Sequence, residues 1–554
     1  MGTLDYIVIF LFTSIIVVAG LSFGKSGNNM KSYFAAGGAV PWQISSLSLF
    51  MSFFSAGTFV VWGSIAYKHG VVAIVIQLTM AVAGLLVGLF IAPAWQKSKS
   101  LTAAEFVTKR FGKSANKFYS YLILFISLAY TGAFLYPVAK IINVSTGFSI
   151  DTCIIFIGIL IIIYTVVGGL WAVMITDVLQ FVVLTVAVLI VVPLAFNRVG
   201  GIEPFLNTMP DGFFNLTNPE YNWVFLLAFG IYNGIFIGGN WAYVQRYTSV
   251  DSPQSAKKVG YLFAGLYLIS PFIWMLPPML YRLVNPDLSG LENEGAYLMM
   301  CKTVLPQGMI GLMLGGMLFA TGSSVNTTLN LASAVFTNDL YRSLRPSASA
   351  QKLMIVAKIA TAVFGGLTIL VALLVPLAGG IVEIVLTVGA VTGCSLYGPP
   401  IWALFSKRHS GKSIVWCTIL GLFLNLYFKF FYPMMTGISF TRAQEMLAGA
   451  FIPLALLAIY EIYAWRKRIV AADYTRYTLI MATKDDHQEE DSSAVQNAYG
   501  IKILSRTMLA ISIILIIMGA ISENERWLVS SLGIIVGVSA FFIRYQSNKK
   551  NRYI

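Results

Sequence analysis

Residues 41–67 read PWQISSLSLFMSFFSAGTFVVWGSIAY, an apolar run long enough to cross a bilayer but interrupted at Ser55-Ala56-Gly57-Thr58. A membrane span needs about 20 mostly apolar residues. Glycine costs about 1 kcal/mol inside a helix, and in lipid every freed backbone group must find a partner or line a wet cavity. A second run, 224–244, is interrupted in the same way, by Asn233-Gly234 and then Gly238-Gly239-Asn240. Helix packing through small residues explains either break alone. Their placement says more, because each opens a set of five apolar segments, 41–195 and 224–406. An odd number of spans turns the second set upside down relative to the first. That is an inverted repeat, whose discontinuous first helices meet near the midplane and form the binding site.

The rest of the chain agrees with an all-α polytopic membrane protein. Of its 554 residues 57% are hydrophobic and 11% charged, with mean hydropathy +0.78, against about 25% charged in soluble proteins. This excludes a soluble enzyme, a disordered chain and a nucleic-acid binder, despite the net charge of +14. A transmembrane barrel would show alternating segments of about 10 residues instead. About fifteen apolar segments are present. Residues 1–40 add a helix and loop before the first repeat, 196–223 form an external loop, and 407–554 add about four helices. The polar stretch 466–502 reads as a mobile linker, and 281–304 as a plain external loop, with a short lid as the alternative. Of the 37 Lys and Arg, 28 lie in the loops of one face, six in those of the other and three within spans. The positive-inside rule puts the rich face in the cytoplasm, so the N-terminus is outside and the C-terminus inside. Lysine-rich loops and short termini fit a bacterial inner membrane. The four cysteines show no metal or disulfide spacing, and the three histidines fall in loops, which disfavours zinc, heme and copper chemistry.

Polar residues inside spans are functional hypotheses by default. Asp177, at the start of its span, clusters with Thr176 and Gln180, and no partner for it is evident. Glu383 and Lys140 lie near span ends and can snorkel to the interface. The richest run is Thr321-Gly-Ser323-Ser324-Val-Asn326-Thr327-Thr328-Leu-Asn330. Ser323, Asn326, Thr327 and Asn330 share one helix face. Neutral hydroxyl and carbonyl oxygens suit Na⁺, a hard monovalent cation, better than zinc or copper. Hydrogen bonding between helices is the alternative reading of the same residues.

Residues 164–180, YTVVGGLWAVMITDVLQ, resemble the signature of the sodium/solute symporter family, which includes bacterial sodium/galactose, sodium/proline and sodium/sialic acid transporters. Three further segments agree, in order and at sensible spacing: Ser55 to Gly70, Asn240 to Arg246, and Ala320 to Tyr341. The resemblance implies a leucine-transporter-type five-plus-five inverted repeat. It also implies a sodium site of backbone carbonyls and two hydroxyls at Met51, Phe54, Ala320, Ser323 and Ser324. A second sodium, present in some members, would use Asp177, Thr327 and the position of Asn326, where that subgroup has serine. For the solute, Ser55, Thr58, Gln77, Asn233, Phe236 and Tyr267 fall where members contact substrate. The galactose pattern keeps Asn233 and departs at Thr58, Gln77, Phe236 and Tyr267. The sialic acid pattern keeps Ser55, Thr58 and Gln77, but its arginine on the third core helix is missing, since no Arg lies between Arg110 and Arg198. A sugar or acidic sugar derivative such as sialic acid is therefore expected, with an amino acid or monocarboxylate as the alternative.

The expected activity is Na⁺-coupled import by alternating access. Each charge crossing 100 mV releases about 2.3 kcal/mol. The expected partners are the solute, Na⁺ and the lipid bilayer, with no nucleic acid; the oligomeric state stays open. A channel would want charge rings or repeated carbonyl loops. An intramembrane enzyme would want a nucleophile–base pair or metal cluster. The sequence displays neither.

Overall fold

The computed structural model describes residues 2–22, 40–100, 103–164, 170–482, 490–522 and 525–551. These residues are helical almost throughout. In chain order they form α1 (Thr3–Leu21), a bent pair α2 (Trp42–Phe53) and α3 (Thr58–His69), α4 (Val72–Lys97), the short α5 (Ala103–Phe111), α6 (Lys113–Thr146), α7 (Ile150–Tyr164) and α8 (Leu170–Arg198). A second bent pair follows, α9 (Trp223–Gly239) and α10 (Trp241–Thr248). Then come α11 (Pro253–Val284), the short α12 (Ala296–Val304), α13 (Met309–Val335), α14 (Ala350–Leu374) and α15 (Ile381–Phe405). The chain ends with α16 (Gly411–Thr436), α17 (Arg442–Arg466), the short α18 (Ala472–Ala482), α19 (Glu490–Ile521) and α20 (Arg526–Asn551).

Eleven of these helices are long and apolar enough to cross a membrane, and each bent pair adds another span. The shorter apolar stretches Ile150–Ile159 and Met309–Gly322 fall at the two remaining expected spans. The architecture is the expected five-plus-five arrangement with extra helices at both ends. The linker expected at 466–502 is not irregular throughout, because α18 and the start of α19 lie within it. The loop at 281–304 is likewise no plain loop. It folds into a helical turn, Gly290–Gly295, and α12, and it buries Asn293 and Glu294.

Both breaks fall where small and polar residues interrupt the apolar runs. The first bends the chain by 54° between α2 and α3, and the second by 61° between α9 and α10. Helix α9 runs straight through Asn233-Gly234. It ends at Gly239, where a Cβ would fall 2.8 Å from the Tyr397 carbonyl. Asn240 then caps α10, its side chain accepting from the Ala242 N–H at 3.0 Å. The Gly238 carbonyl, on the last turn of α9, accepts from the Trp95 indole at 2.7 Å.

One end of the bundle is sealed. The Tyr67 hydroxyl donates to the Asn285 carbonyl at 2.6 Å. Glu294 accepts from the Tyr136 hydroxyl and from the Ile381 N–H, each at 3.0 Å, and so ties α6 to the start of α15. Burial pushes the Glu294 carboxyl above the ordinary range, against these two bonds. Beside it runs a chain of ion pairs. His69 meets Glu220 at 3.5 Å, Arg442 bridges Glu220 (2.9 Å) and Glu383 (3.2 Å), and Lys429 bridges Glu383 (3.1 Å) and Glu445 (2.7 Å). The bond to His69, with the charge of Arg442, holds the Glu220 carboxyl at about 2 against its partial burial. Glu383 is therefore paired, with Lys429 and Arg442, near the end of its span.

Candidate functional site

The break between α2 and α3 sets the site. Phe54 leaves the helix in an extended conformation. The carbonyls of the last turn of α2 then lose their helical partners. The Thr58 hydroxyl takes one of them, donating to the Phe53 carbonyl at 2.8 Å. The Ala56 N–H crosses to α13 and donates to the Thr321 hydroxyl at 2.8 Å. This bond places the break against the helix that carries the polar run. Met51, Phe54 and Ala320 are all buried, and the Ser324 hydroxyl donates to the Ala320 carbonyl at 3.3 Å. The side chains of Ser323, Asn326 and Thr327 lie outside the described residues. Freed carbonyls and a neutral hydroxyl at one helix break can coordinate a small monovalent cation.

Four residues expected to meet the solute, Ser55, Thr58, Gln77 and Asn233, are each less than 5% exposed. Asn233 donates to the Thr79 hydroxyl at 3.0 Å, and the Ser55 hydroxyl accepts from the Gly57 N–H at 3.2 Å. None of the four lines the main cavity. That cavity is lined in part by aromatic rings. Ser52, Tyr130, Phe236, Tyr243, Ser324 and Tyr397 are among the residues that line it. Phe236 stacks on Tyr232 (5.4 Å) and Tyr130 (5.8 Å), and Phe53 packs on Tyr243 (4.4 Å). Phe236 follows Asn233 by one helical turn, and Phe53 follows Ser52 directly. Phe236 therefore lines the cavity one helical turn from the buried Asn233. Tyr267 belongs to neither group. It packs on Phe50 (5.1 Å) and Phe263 (4.9 Å).

Asp177 has partners that the sequence did not reveal. Its Oδ2 accepts from the Ser48 hydroxyl at 2.6 Å and faces the Arg246 guanidinium at 3.7 Å. Arg246 is 2% exposed and also donates to the Ala242 carbonyl (2.7 Å) and to Ser48 (3.3 Å). Arg246 falls among the 28 loop charges of the basic face when the spans are drawn by hydropathy, but α10 carries it into the bundle. The run Asn240 to Arg246 was the signal that could have found it. Thr321, Tyr130, Tyr243 and Tyr397 were also missed. Thr321 sits inside the polar run, whereas the tyrosines come from three helices that only the fold brings together. Lys140 lines a small crevice beside Glu294, away from the main cavity.

Comparison with known proteins agrees with this fold. Residues 33–421 match the sodium:solute symporter family. The sodium/sialic acid symporter SiaT of Proteus mirabilis is 29% identical over 486 residues, covering 83% of this chain and 97% of its own. The mouse sodium/glucose cotransporter 1 is 25% identical over 476 residues, covering 76% of this chain and 71% of its own. Among solved structures, a Na⁺-coupled sialic acid symporter in a substrate-bound outward-open state superposes with a TM-score of 0.68. It is 25% identical and covers 83% of this chain and 98% of that one. The nucleobase-cation symporter Mhp1 shares the fold alone, at a TM-score of 0.52 and 15% identity. This chain belongs to the sodium:solute symporter family, whose members couple solute movement to Na⁺.

Proposed function

We propose that this symporter imports a small sugar or acidic sugar derivative such as sialic acid, driven by one Na⁺ held where the α2–α3 break meets α13. The observation that supports this reading is the bond from the Ala56 N–H to the Thr321 hydroxyl at 2.8 Å, which links the α2–α3 break to the helix that carries Ala320 and Ser324. Met51, Phe54, Ala320, Ser323 and Ser324 are assigned to the ion. Ser55, Thr58, Gln77 and Asn233 are assigned to the solute, whose hydroxyls would pair with these neutral groups. The rings of Tyr130, Phe236 and Tyr243 give it apolar faces to stack on and close the path to the cavity.

The charge asymmetry favours placing that cavity on the cytoplasmic side of a bacterial inner membrane, with the N-terminus outside. In that orientation the sealed end faces out, as in a state that has closed its outer gate. At Asp177 a second Na⁺ must compete with Arg246, a tethered cation, which favours one coupled ion. Na⁺ and solute strengthen each other's binding, because coupling is reciprocal. The double variant Ser323→Ala/Ser324→Ala, assayed by uptake against Na⁺ concentration, should raise the Na⁺ requirement at least tenfold, as loss of metal-site support does. Unchanged Na⁺ activation would overturn the site.

A further inference from the structure

Helix α1 precedes the first repeat, yet it grips the helix assigned to the ion. The Asp5 carboxylate is fully buried. Its Oδ1 accepts from the Gly308 N–H at 2.6 Å and the Gly311 N–H at 3.1 Å, and its Oδ2 accepts from the Gly2 N–H at 2.8 Å. Gly308 is the N-cap residue of α13 and adopts a positive φ of 90°. Asp5 therefore satisfies backbone donors at the start of α13 that the helix itself leaves unpaired. Its negative charge lies at the positive end of the helix dipole. The approach depends on glycine, because a Cβ on Gly311 would collide with the Asp5 carbonyl oxygen. A Cβ on Gly315, one turn further, would stand 3.8 Å from the Ile9 Cα, an ordinary contact.

The other end of α1 reaches α8. A Cβ on Gly20 would lie 3.7 Å from the Thr176 methyl, next to Asp177. One helix thus spans from the N-cap of α13 to the polar cluster of α8. Ala320 follows the start of α13 by about 16 Å at 1.5 Å per residue, within one rigid helix.

We infer that Asp5 is a positioning residue for the sodium site: its carboxylate fixes the axial register of α13, and with it the Ala320 carbonyl and the Ser324 hydroxyl. A lone carboxylate this deeply buried is costly unless charge-assisted bonds compensate it, and here backbone N–H groups supply them. The inference rests on the sodium reading proposed above. Coupling through a rigid element is worth about 0.5–2 kcal/mol, or about 2- to 30-fold in binding.

The test is a Na⁺ titration of the thermal unfolding of the purified full chain, with K⁺ keeping ionic strength constant. Asp5→Asn, of the same shape, should raise the half-saturating Na⁺ concentration by about 2- to 30-fold. Asp5→Glu, which keeps the charge on a longer arm, should recover part of that loss. Gly311→Ala should shift the titration in the same direction, and Gly315→Ala should leave it unchanged. Lower stability in K⁺ with an unmoved Na⁺ midpoint for Asp5→Asn and Gly311→Ala would make Asp5 purely structural and overturn the inference. If Asp5→Asn does not fold, Gly311→Ala and Asp5→Glu decide on the same midpoint. A parent protein without any Na⁺ response would instead remove the sodium reading itself.

Discussion

Replacing Arg246 by glutamine probes the most heavily buried charge in the site. Its guanidinium faces Asp177 at 3.7 Å. Two unit charges at that distance attract by about 4 kcal/mol at an effective dielectric of about 20. Desolvation of both groups offsets much of this, but removing one partner of a buried pair still costs about 3–5 kcal/mol. Arg246→Gln should therefore unfold at a lower temperature than the parent in K⁺ buffer. Na⁺ should then restore part of the loss, because the Asp177 carboxylate has become accessible to a free cation. An ion present at 100 times its Kd adds about 2.7 kcal/mol. The assay is thermal unfolding of parent, Arg246→Gln and Asp177→Asn/Arg246→Gln, each in K⁺ and in Na⁺. Na⁺ should stabilise the single variant more than it stabilises the parent, and the double variant should lose that excess. Equal Na⁺ shifts in parent and Arg246→Gln would refute the idea that a tethered cation excludes a second Na⁺.

Two further outcomes follow from the geometry. Glu220 titrates near 2 in the folded protein, below the ordinary value near 4.3, so its contribution is present above about pH 4.5 and fades towards pH 2. Glu220→Gln should lower the melting temperature at pH 7 by the equivalent of about 1 kcal/mol, given its partial exposure, with the gap to the parent closing as pH falls through that window. A gap that widens with acid would reverse the sign and refute the assignment. Gly239→Ala forces a Cβ to within 2.8 Å of the Tyr397 carbonyl and the Ile401 side chain. Overpacking of this kind costs about 1–3 kcal/mol, and the shift falls on the α9–α10 break, so transport should drop further than stability; full activity would contradict the proposed role of that break.

The fold was legible because hydropathy and punctuation are local signals. Apolar runs marked the spans, and the small residues at 55–58 and 238–240 marked both breaks. The polar run from Thr321 announced its own helix face. What stayed hidden depends on depth and on distant partners. Arg246 looked like a loop charge until α10 was seen to extend to Thr248. Glu294 sat in an apparent loop, yet it holds α6 to α15. Tyr267 lay at a family contact position, but its ring turns into the packing of Phe50 and Phe263. The link between Asp5 and Gly308 spans 303 positions, and no periodicity reports such a pair.

On the proposed function, Na⁺ entry drives uptake of a sugar-class solute through this chain. The most direct measurement is uptake of radiolabelled N-acetylneuraminate and of galactose into proteoliposomes containing the purified protein, under an inward Na⁺ gradient and under an equal K⁺ gradient. At least one of the two should accumulate above equilibrium with Na⁺, and neither should accumulate with K⁺. Equal uptake under both gradients, or no uptake of either sugar with Na⁺, would contradict it.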